Sequence, residues 1–260
     1  MTTILSWRAR QYAHIGVRRV PALQSIEWLR RGWDDLQHLR AASLAHGALI
    51  AVLGGVLLIF GSTHPYFIAA AVTGYLLIGP ILTTGACELS RRRAAGEQPG
   101  FDESLDAVGR NPRSVLQFGA ILAAIAFLWF VTSEVMLESV LDVSRPGFAE
   151  VLWGGFTDTA SRAQVLAYIG SGAALAAIVF AVSVVAVPLI IDRHASAVEA
   201  MWASVRATFS NLPAMLVWSG LIVALAAFGF LTLLAGMIVV APLLGHATWH
   251  AYRDLITETS

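Results

Sequence analysis

Charged residues are scarce in this chain of 260 residues, which has 17 arginines, 17 acidic residues and no lysine. They make up only 13% of the chain, whereas soluble globular proteins carry about a quarter. A soluble domain of this length could not hide so much apolar surface from water, because 57% of the residues are hydrophobic. The composition excludes an ordinary soluble protein, and the lipid bilayer is the first expected partner.

Other absences narrow the function. The formal net charge is zero, so the chain has no overall basic surface for nucleic acid. Cys87 is the only cysteine, which excludes an internal disulfide. The sequence contains no phosphate-binding glycine-rich loop, no nucleophile elbow and no HExxH metal motif. These absences favour a protein that is not an enzyme.

Six apolar stretches are long enough to cross a bilayer, since a membrane-spanning helix needs about 20 mostly apolar residues. The charge-free stretch between Arg206 and Arg253 is too long for one span, and a turn near residues 230–236 would divide it into two. The sequence therefore predicts an all-α polytopic membrane protein with spans at about 41–60, 67–88, 114–135, 166–191, 213–231 and 233–250.

Arginines are concentrated in alternate connections between these spans. Fifteen of the 17 lie before span one, between spans two and three, between spans four and five, or after span six. Short connections rich in arginine stay in the cytoplasm. We therefore expect a protein of the bacterial inner membrane with both termini cytoplasmic, in which residues 1–22 form a cytoplasmic N-terminal segment. No cleavable signal peptide is expected, because the first arginines are spread through a mixed stretch.

Three similar segments, each centred on a proline in the second helix of a predicted hairpin, indicate an internal repeat. They read LLIGPIL around Pro80, VVAVPLI around Pro188 and IVVAPLL around Pro242. The first helices of the hairpins align at three glycines, Gly47, Gly119 and Gly220. Residues 23–256 are thus predicted to form a single six-helix transmembrane domain with repeats at about 23–90, 101–193 and 195–256.

Each hairpin follows a predicted amphipathic helix on the cytoplasmic side. In the first of these helices, apolar residues recur at helical spacing and are expected to form one face: Leu23, Ile26, Leu29, Trp33, Leu36 and Leu39. The second helix is shorter and has Phe101, Leu105 and Val108. The third has Val198, Trp202, Val205 and Phe209.

The three aligned prolines predict three helix kinks, because proline removes one backbone hydrogen bond and clashes with the preceding turn. The carbonyls freed at Pro80, Pro188 and Pro242 could line a cavity, as in transporters with broken helices. The bends could equally serve only to fit the helices into a compact bundle.

Titratable residues gather toward the cytoplasm after these prolines, with one more at comparable depth near the start of span one: Glu88, Asp192, His246, His250 and His46. His246 and His250 are four residues apart, which places both imidazoles on one helix face, where they could bind a metal ion or haem iron. Glu88 or Asp192 could complete such a site. Alternatively, these side chains simply reach water and headgroups from the last turns of their helices.

The pattern RRVPALQSIEWLRRGWDDL, the proline-centred spans and the ending APLLGHATWHAYRDL resemble a family of bacterial integral membrane proteins of unknown function. Some members of that family carry a cytochrome c oxidase subunit label. The resemblance covers about residues 18–256 and implies an inner-membrane helical bundle, without an activity or functional residues. A haem–copper catalytic subunit would have more spans and several histidine ligands at mid-membrane, so the resemblance does not imply one.

Three functions remain open at this point. The leading prediction is a non-enzymatic inner-membrane protein that works through contacts, as an accessory or assembly partner of a respiratory or other membrane complex. The first alternative is a small transporter or channel, whose transport should fall when Glu88 or Asp192 is neutralised. The second alternative is a haem- or metal-binding membrane protein that uses His246 and His250.

Overall fold

A computed structural model describes residues 15–61, 75, 77, 79–140 and 162–258, and these residues are mostly helical. The elements, in chain order, are β1 (Ile15–Val17), α1 (Gln24–His38), α2 (Arg40–Gly61), α3 (Gly79–Leu82), α4 (Thr84–Ala94), α5 (Phe101–Arg110), α6 (Pro112–Val140), α7 (Arg162–Ser183), α8 (Ala186–Arg193), α9 (Ala197–Ser210), α10 (Leu212–Leu231), α11 (Met237–Leu255) and β2 (Ile256–Glu258).

Four helical stretches among the described residues are long and apolar enough to cross a membrane: Arg40–Phe60, Pro112–Ser133, Leu166–Arg193 and Leu212–Leu231. They coincide with the predicted spans one, three, four and five. Much of the second predicted span lies outside the described residues, although α3 and α4 cover its later part. The sixth is helical but is not among the four, so the count of six spans stays a prediction.

The boundary between the last two predicted spans lies where the sequence placed it. Helix α10 ends at Leu231, and a turn over residues 232–236 precedes α11. In this turn Leu233 and Leu234 both have positive φ angles, of 50° and 68°. Helix α11 begins at Met237, four residues later than predicted, because these left-handed residues interrupt the helical hydrogen bonding.

Helix α11 is largely buried and packs along α1. Where Gly32 meets α11, a Cβ atom added to this glycine would lie only 2.7 Å from the backbone nitrogen of Ala247. Farther along, Trp28 packs edge-on against Trp218 of α10, with ring centroids 5.9 Å apart. The indole nitrogen of Trp28 also donates a hydrogen bond of 2.8 Å to Asp254 at the end of α11. Helix α1 therefore packs against both α10 and α11 and is hydrogen-bonded to α11.

The apolar face predicted for α1 is covered only in part by the rest of the chain. Leu36 and the following Leu39 are buried, whereas Leu23, Ile26 and Trp33 are exposed. Residues three apart are separated by about 300° around a helix with 3.6 residues per turn, so each such step falls about 60° short of a full turn. Within α1, however, a step of four separates Leu29 from Trp33, so Ile26, Leu29, Trp33 and Leu36 stay within about 80° of one another and form one face.

The sequence did not predict the small sheet. Strands β1 and β2 pair in antiparallel register, with Ile15 opposite Glu258 and Val17 opposite Ile256. The pairing continues beyond β1, because the amide of Arg18 donates a 2.8 Å hydrogen bond to the carbonyl of Leu255. These bonds join the segment before α1 to the end of α11.

The chain divides into two compact units. The first unit comprises the described residues of Met1–Ala51, Pro80–Phe118 and Phe180–Ser260, and the second those of Val52–Gly79 and Gly119–Val179. The candidate titratable residues and the three aligned prolines all belong to the first unit. In the second unit, Trp129 packs against Gly172, and its ring centroid lies 5.5 Å from that of Tyr168.

The three aligned prolines stand in different helical surroundings. Pro80 lies in the short α3, which a turn at Thr83 separates from α4. Pro188 lies in α8, just after the turn at residues 184–185 that ends α7, whereas Pro242 lies inside the uninterrupted α11. The aligned glycines differ as well: a Cβ atom at Gly47 would overlap the backbone of Ile238, while Gly220 faces open space. The repeat and the three kinks remain predictions.

Candidate functional site

His246 lies at the centre of a buried polar cluster in the first unit. Its side chain is fully buried on α11. Its Nε2 atom lies 2.9 Å from the hydroxyl of Ser43 on α2, and its Nδ1 atom lies 2.7 Å from the hydroxyl of Ser90 on α4. One imidazole therefore joins three helices by hydrogen bonds.

Asp35 of α1 extends this cluster. Its carboxylate accepts hydrogen bonds from the Ser90 hydroxyl and from the guanidinium of Arg93, both on α4. His250 of α11 lies 2.9 Å away through Nε2. We call Asp35, Ser43, Ser90, Arg93, His246 and His250 the His246 cluster. It fastens α1, α2, α4 and α11 to one another.

The number of available protons fixes the direction of these hydrogen bonds. An ionised carboxylate can only accept, so Ser90 uses its single hydroxyl proton on Asp35. The contact between Ser90 and His246 then requires a proton on Nδ1 of His246. When His246 is neutral, its Nε2 atom carries no proton and accepts from Ser43. His250 likewise donates from Nε2 to Asp35.

The partners of Asp35 favour its ionised form. Burial pushes its pKa upward, but the hydrogen bonds from His250 and Ser90 outweigh burial, with help from the electrostatic influence of the two histidines, and hold the pKa below its ordinary value. Asp35 lies on α1, outside the four apolar helical stretches. The cluster thus contains a buried carboxylate that is negatively charged at neutral pH.

Glu88 does not belong to the His246 cluster. Its carboxylate is buried and binds Arg91 through two hydrogen bonds of 2.7 and 2.8 Å, and Arg92 through one of 2.9 Å. Arg92 also reaches Asp106 of α5, at 2.7 Å. Glu88 therefore neutralises arginines of its own helix, and Arg92 joins α4 to α5.

Asp192 also lies apart from the cluster. It accepts a 2.6 Å hydrogen bond from the hydroxyl of Tyr252, and the Nε atom of Arg193 donates to the same hydroxyl at 2.9 Å. These contacts join the end of α8 to α11. Asp192 and Glu88 thus do not complete a ligand set with His246 and His250.

His46 makes a separate contact with α5. Its Nε2 atom lies 2.6 Å from the hydroxyl of Ser104, and its ring packs 4.8 Å from the ring of Phe101. On the other side it presses against Gly85, where a Cβ atom would collide with the imidazole. His46 therefore fastens α2 to α5 and to the start of α4.

The structure brings together only two of the five predicted titratable residues. His246 and His250 meet through Asp35 and Ser90, which the sequence analysis did not single out. Within residues 15–61, 75, 77, 79–140 and 162–258, no group of three or more histidine, cysteine or acidic side chains could hold a metal ion. Haem or metal binding by this histidine pair stays a prediction, and a coloured or metal-containing preparation would support it.

Comparison with known proteins agrees with the membrane assignment. Residues 67–192 match the model of a family described as a predicted integral membrane protein, DUF2189, so this part of the chain is similar to that family. The match includes the segments around Pro80 and Pro188, whereas the two terminal patterns that first indicated the resemblance lie outside it. No curated protein and no solved structure matches the chain. The match supports an integral membrane protein and indicates no activity.

Proposed function

We propose that this chain is a non-catalytic protein of the bacterial inner membrane that acts through contacts with another membrane protein. In this proposal it is an accessory or assembly partner of a respiratory or other membrane complex, with both termini in the cytoplasm. The arginine distribution supports this orientation, since arginine-rich connections stay in the cytoplasm.

The observation that carries the proposal is that the chain itself binds each candidate titratable side chain. The His246 cluster joins α1, α2, α4 and α11, and Asp192 joins α8 to α11 through Tyr252. Glu88 is held by two arginines, and His46 by Ser104. These contacts are all made within the chain, which supports a structural role for the candidate residues.

The long apolar helices supply the surface for contacts with another protein. In three of the four candidate spans, only 22% of the most apolar 18-residue segment is buried inside the chain. Lipid tails and apolar side chains of other membrane helices compete for such a surface, and packing and interhelical hydrogen bonds decide which binds. Helix α10 exposes Leu216 and Val223 in this way.

Photo-crosslinking in the native membrane tests the proposal. A photoreactive phenylalanine analogue would replace Leu216 or Val223 on the exposed side of α10, and Trp218, which is buried on the same helix, would be the control position. We expect one discrete adduct with another membrane protein from the exposed positions. The control position should give only crosslinks within the chain.

The same chain would be extracted in a gentle detergent, and its copurifying proteins and optical spectrum would be recorded. A membrane complex that follows in fixed stoichiometry supports an accessory role. A chain that emerges alone, with adducts only to lipid at Leu216 and Val223, contradicts it.

A small transporter is the second candidate, because the His246 cluster is a continuous series of groups able to pass protons. The series runs from Ser43 in the first turn of α2 through His246, Ser90 and Asp35 to His250. If it carries protons, flux into liposomes should fall in Ser90→Ala and persist in Ser219→Ala, whose hydroxyl donates to the carbonyl of Leu216 on its own helix. Unchanged flux in Ser90→Ala, or no flux at all, removes this candidate.

A further inference from the structure

Helix α9 turns its small residues inward and its large residues outward. The buried side carries the alanines Ala197, Ala200, Ala203 and Ala207. On the opposite side, Trp202 is 54% exposed and Phe209 is 64% exposed, and Val198 lies on the same line. The large apolar side chains of α9 thus make up the face that the rest of the chain leaves uncovered.

Helices α1 and α5 also carry uncovered apolar faces. Leu23, just before α1, is 65% exposed, and Trp33 on α1 is 46% exposed, with Ile26 on the same side. Gly32 lies on the buried side against α11. On α5, Ser104 and Ala107 are buried, whereas two larger residues point away from the chain, Leu105 and Val108. We call these three apolar faces the outward stripes.

Contact with water is energetically unfavourable for the apolar side chains of the outward stripes. A surface helix of a soluble protein places charged and polar residues on the side that faces water. Each exposed large apolar side chain forgoes part of the free energy that burial would provide. Three such faces on three helices of one unit therefore indicate an apolar neighbour that is not part of this chain.

The chain connectivity identifies that neighbour. Helix α1 ends at His38, two residues before the apolar stretch that begins at Arg40. The ends of α5 and α9 are just as close to the next apolar stretches, which begin at Pro112 and Leu212. Two residues span about 7 Å at most. Each of the three helices therefore ends within a few ångströms of the level at which a span enters the bilayer.

We propose that the outward stripes of α1, α5 and α9 are seated in the boundary between headgroups and acyl chains of the cytoplasmic leaflet. Tryptophan is enriched at this level, where its ring meets both apolar and polar groups, and α1 and α9 each expose one. Interfacial helices bury their apolar face about 5–10 Å into this boundary. Lipid thus covers the outward stripes of the three short helices. The exposed sides of the spans remain available to a protein partner.

Spin labels on single cysteines test the lipid contact. The only native cysteine, Cys87, is buried and would be replaced by alanine. Labels at Ile26, Trp202 or Phe209 would be compared with a label at Asp102, an exposed polar position on α5. The protein would be studied as one copy per nanodisc of phosphatidylethanolamine and phosphatidylglycerol. We expect stripe labels to collide often with oxygen and rarely with a water-soluble nickel chelate, and the Asp102 label to show the reverse.

Two other results would overturn the proposal. Stripe labels that are open to the nickel chelate face water. Stripe labels shielded from both reagents are covered by protein, whether a second copy or another subunit.

Tryptophan fluorescence provides a second measurement without labels. Brominated lipids should quench the wild-type protein, and each of Trp33→Phe and Trp202→Phe should remove part of the quenchable emission. Trp249→Phe is the matched control because Trp249 is buried, and its loss should leave the quenchable part unchanged. Equal quenching in all three variants would contradict the proposal.

Discussion

The first and second units of this molecule are each stabilised internally by a different kind of interaction. In the first unit, a buried carboxylate, two histidines, two serines and an arginine form one connected cluster across four helices. The second unit has Trp129 packed against Gly172 and Tyr168, and a 2.8 Å hydrogen bond between Ser133 and Tyr168. Polar contacts are thus central to the first unit, and packing around one aromatic side chain characterises the second.

This difference shows where a membrane protein can be specific. Between helices in lipid, apolar contacts discriminate poorly, because lipid tails are as apolar as leucine. A buried polar group instead costs free energy in every arrangement that leaves it unpaired. The His246 cluster can therefore select one packing of α1, α2, α4 and α11. Variants in the two units test whether this difference holds.

The largest effect is expected from Asp35→Ala. Removing this carboxylate leaves Arg93, Ser90 and His250 without their common acceptor. Loss of one partner from a buried charged network costs about 3–5 kcal/mol. Unfolding in detergent, followed by circular dichroism, should show this loss of unfolding free energy. Asp34→Ala is the control, since Asp34 is exposed and pairs with Arg93 at the surface, and should cost at most about 1 kcal/mol. Equal effects of the two variants would remove the special role of Asp35.

The next effect is expected from Gly32→Ala, which adds a methyl group where α1 meets α11. That Cβ atom would lie 2.7 Å from the backbone nitrogen of Ala247, so the helices must move apart. Overpacking of this kind costs about 1–3 kcal/mol. Gly220→Ala provides the matched control, because its Cβ atom meets nothing within 4 Å. If thermal unfolding shifts no more for Gly32→Ala than for Gly220→Ala, the close approach of α1 and α11 is wrong.

A pH dependence should follow from Asp35 and Asp254. Burial raises the pKa of Asp254, but its hydrogen bonds with Arg31, Gln24 and Trp28 lower this pKa by more than burial raises it. Asp35 and Asp254 therefore both have folded-state pKa values below the ordinary range. A lowered pKa gives stability that is present above the unfolded pKa of about 3.9 and is lost as pH falls through the folded value. Denaturation measured from pH 7 down to pH 3 should show this decline. It should be shallower in Asp35→Asn and Asp254→Asn, and identical slopes in all three proteins would contradict the assignment.

The smallest effect is expected in the second unit, from Ser133→Ala. This change removes the hydrogen bond to the hydroxyl of Tyr168. Such bonds between membrane helices contribute about 0.6 kcal/mol on average. Steric trapping or a denaturant titration in detergent should therefore show a shift several times smaller than that of Asp35→Ala. A larger shift than that of Asp35→Ala would reverse the comparison between the units.

The four apolar spans could be predicted from the sequence because each is a continuous run with few charges, and hydropathy does not depend on distant residues. The faces of α1 could not be predicted in the same way. Its apolar residues recur at helical spacing on one face, and only the position of α11 determines which of them are buried. The exposed Trp33 and the buried Leu36 belong to the same periodic series.

The His246 cluster could be predicted only in part. The spacing of His246 and His250 on one helix face was visible, since it is local. Their partner Asp35 is more than two hundred positions away in the sequence. No local pattern marks Asp35 as a better partner for these histidines than Glu88 or Asp192. One available signal was an aspartate pair, Asp34 and Asp35, within an otherwise amphipathic helix. One member is exposed and the other is buried.

Native mass measurement of the chain, extracted together with its surrounding lipid, tests the proposed role most directly. A role through contacts predicts a heteromeric membrane complex of fixed stoichiometry, which is preserved in Ser90→Ala because the cluster only supports the fold. A chain that is found alone, and that carries protons in liposomes until Ser90 is replaced, would contradict the proposal and identify the cluster as a pathway.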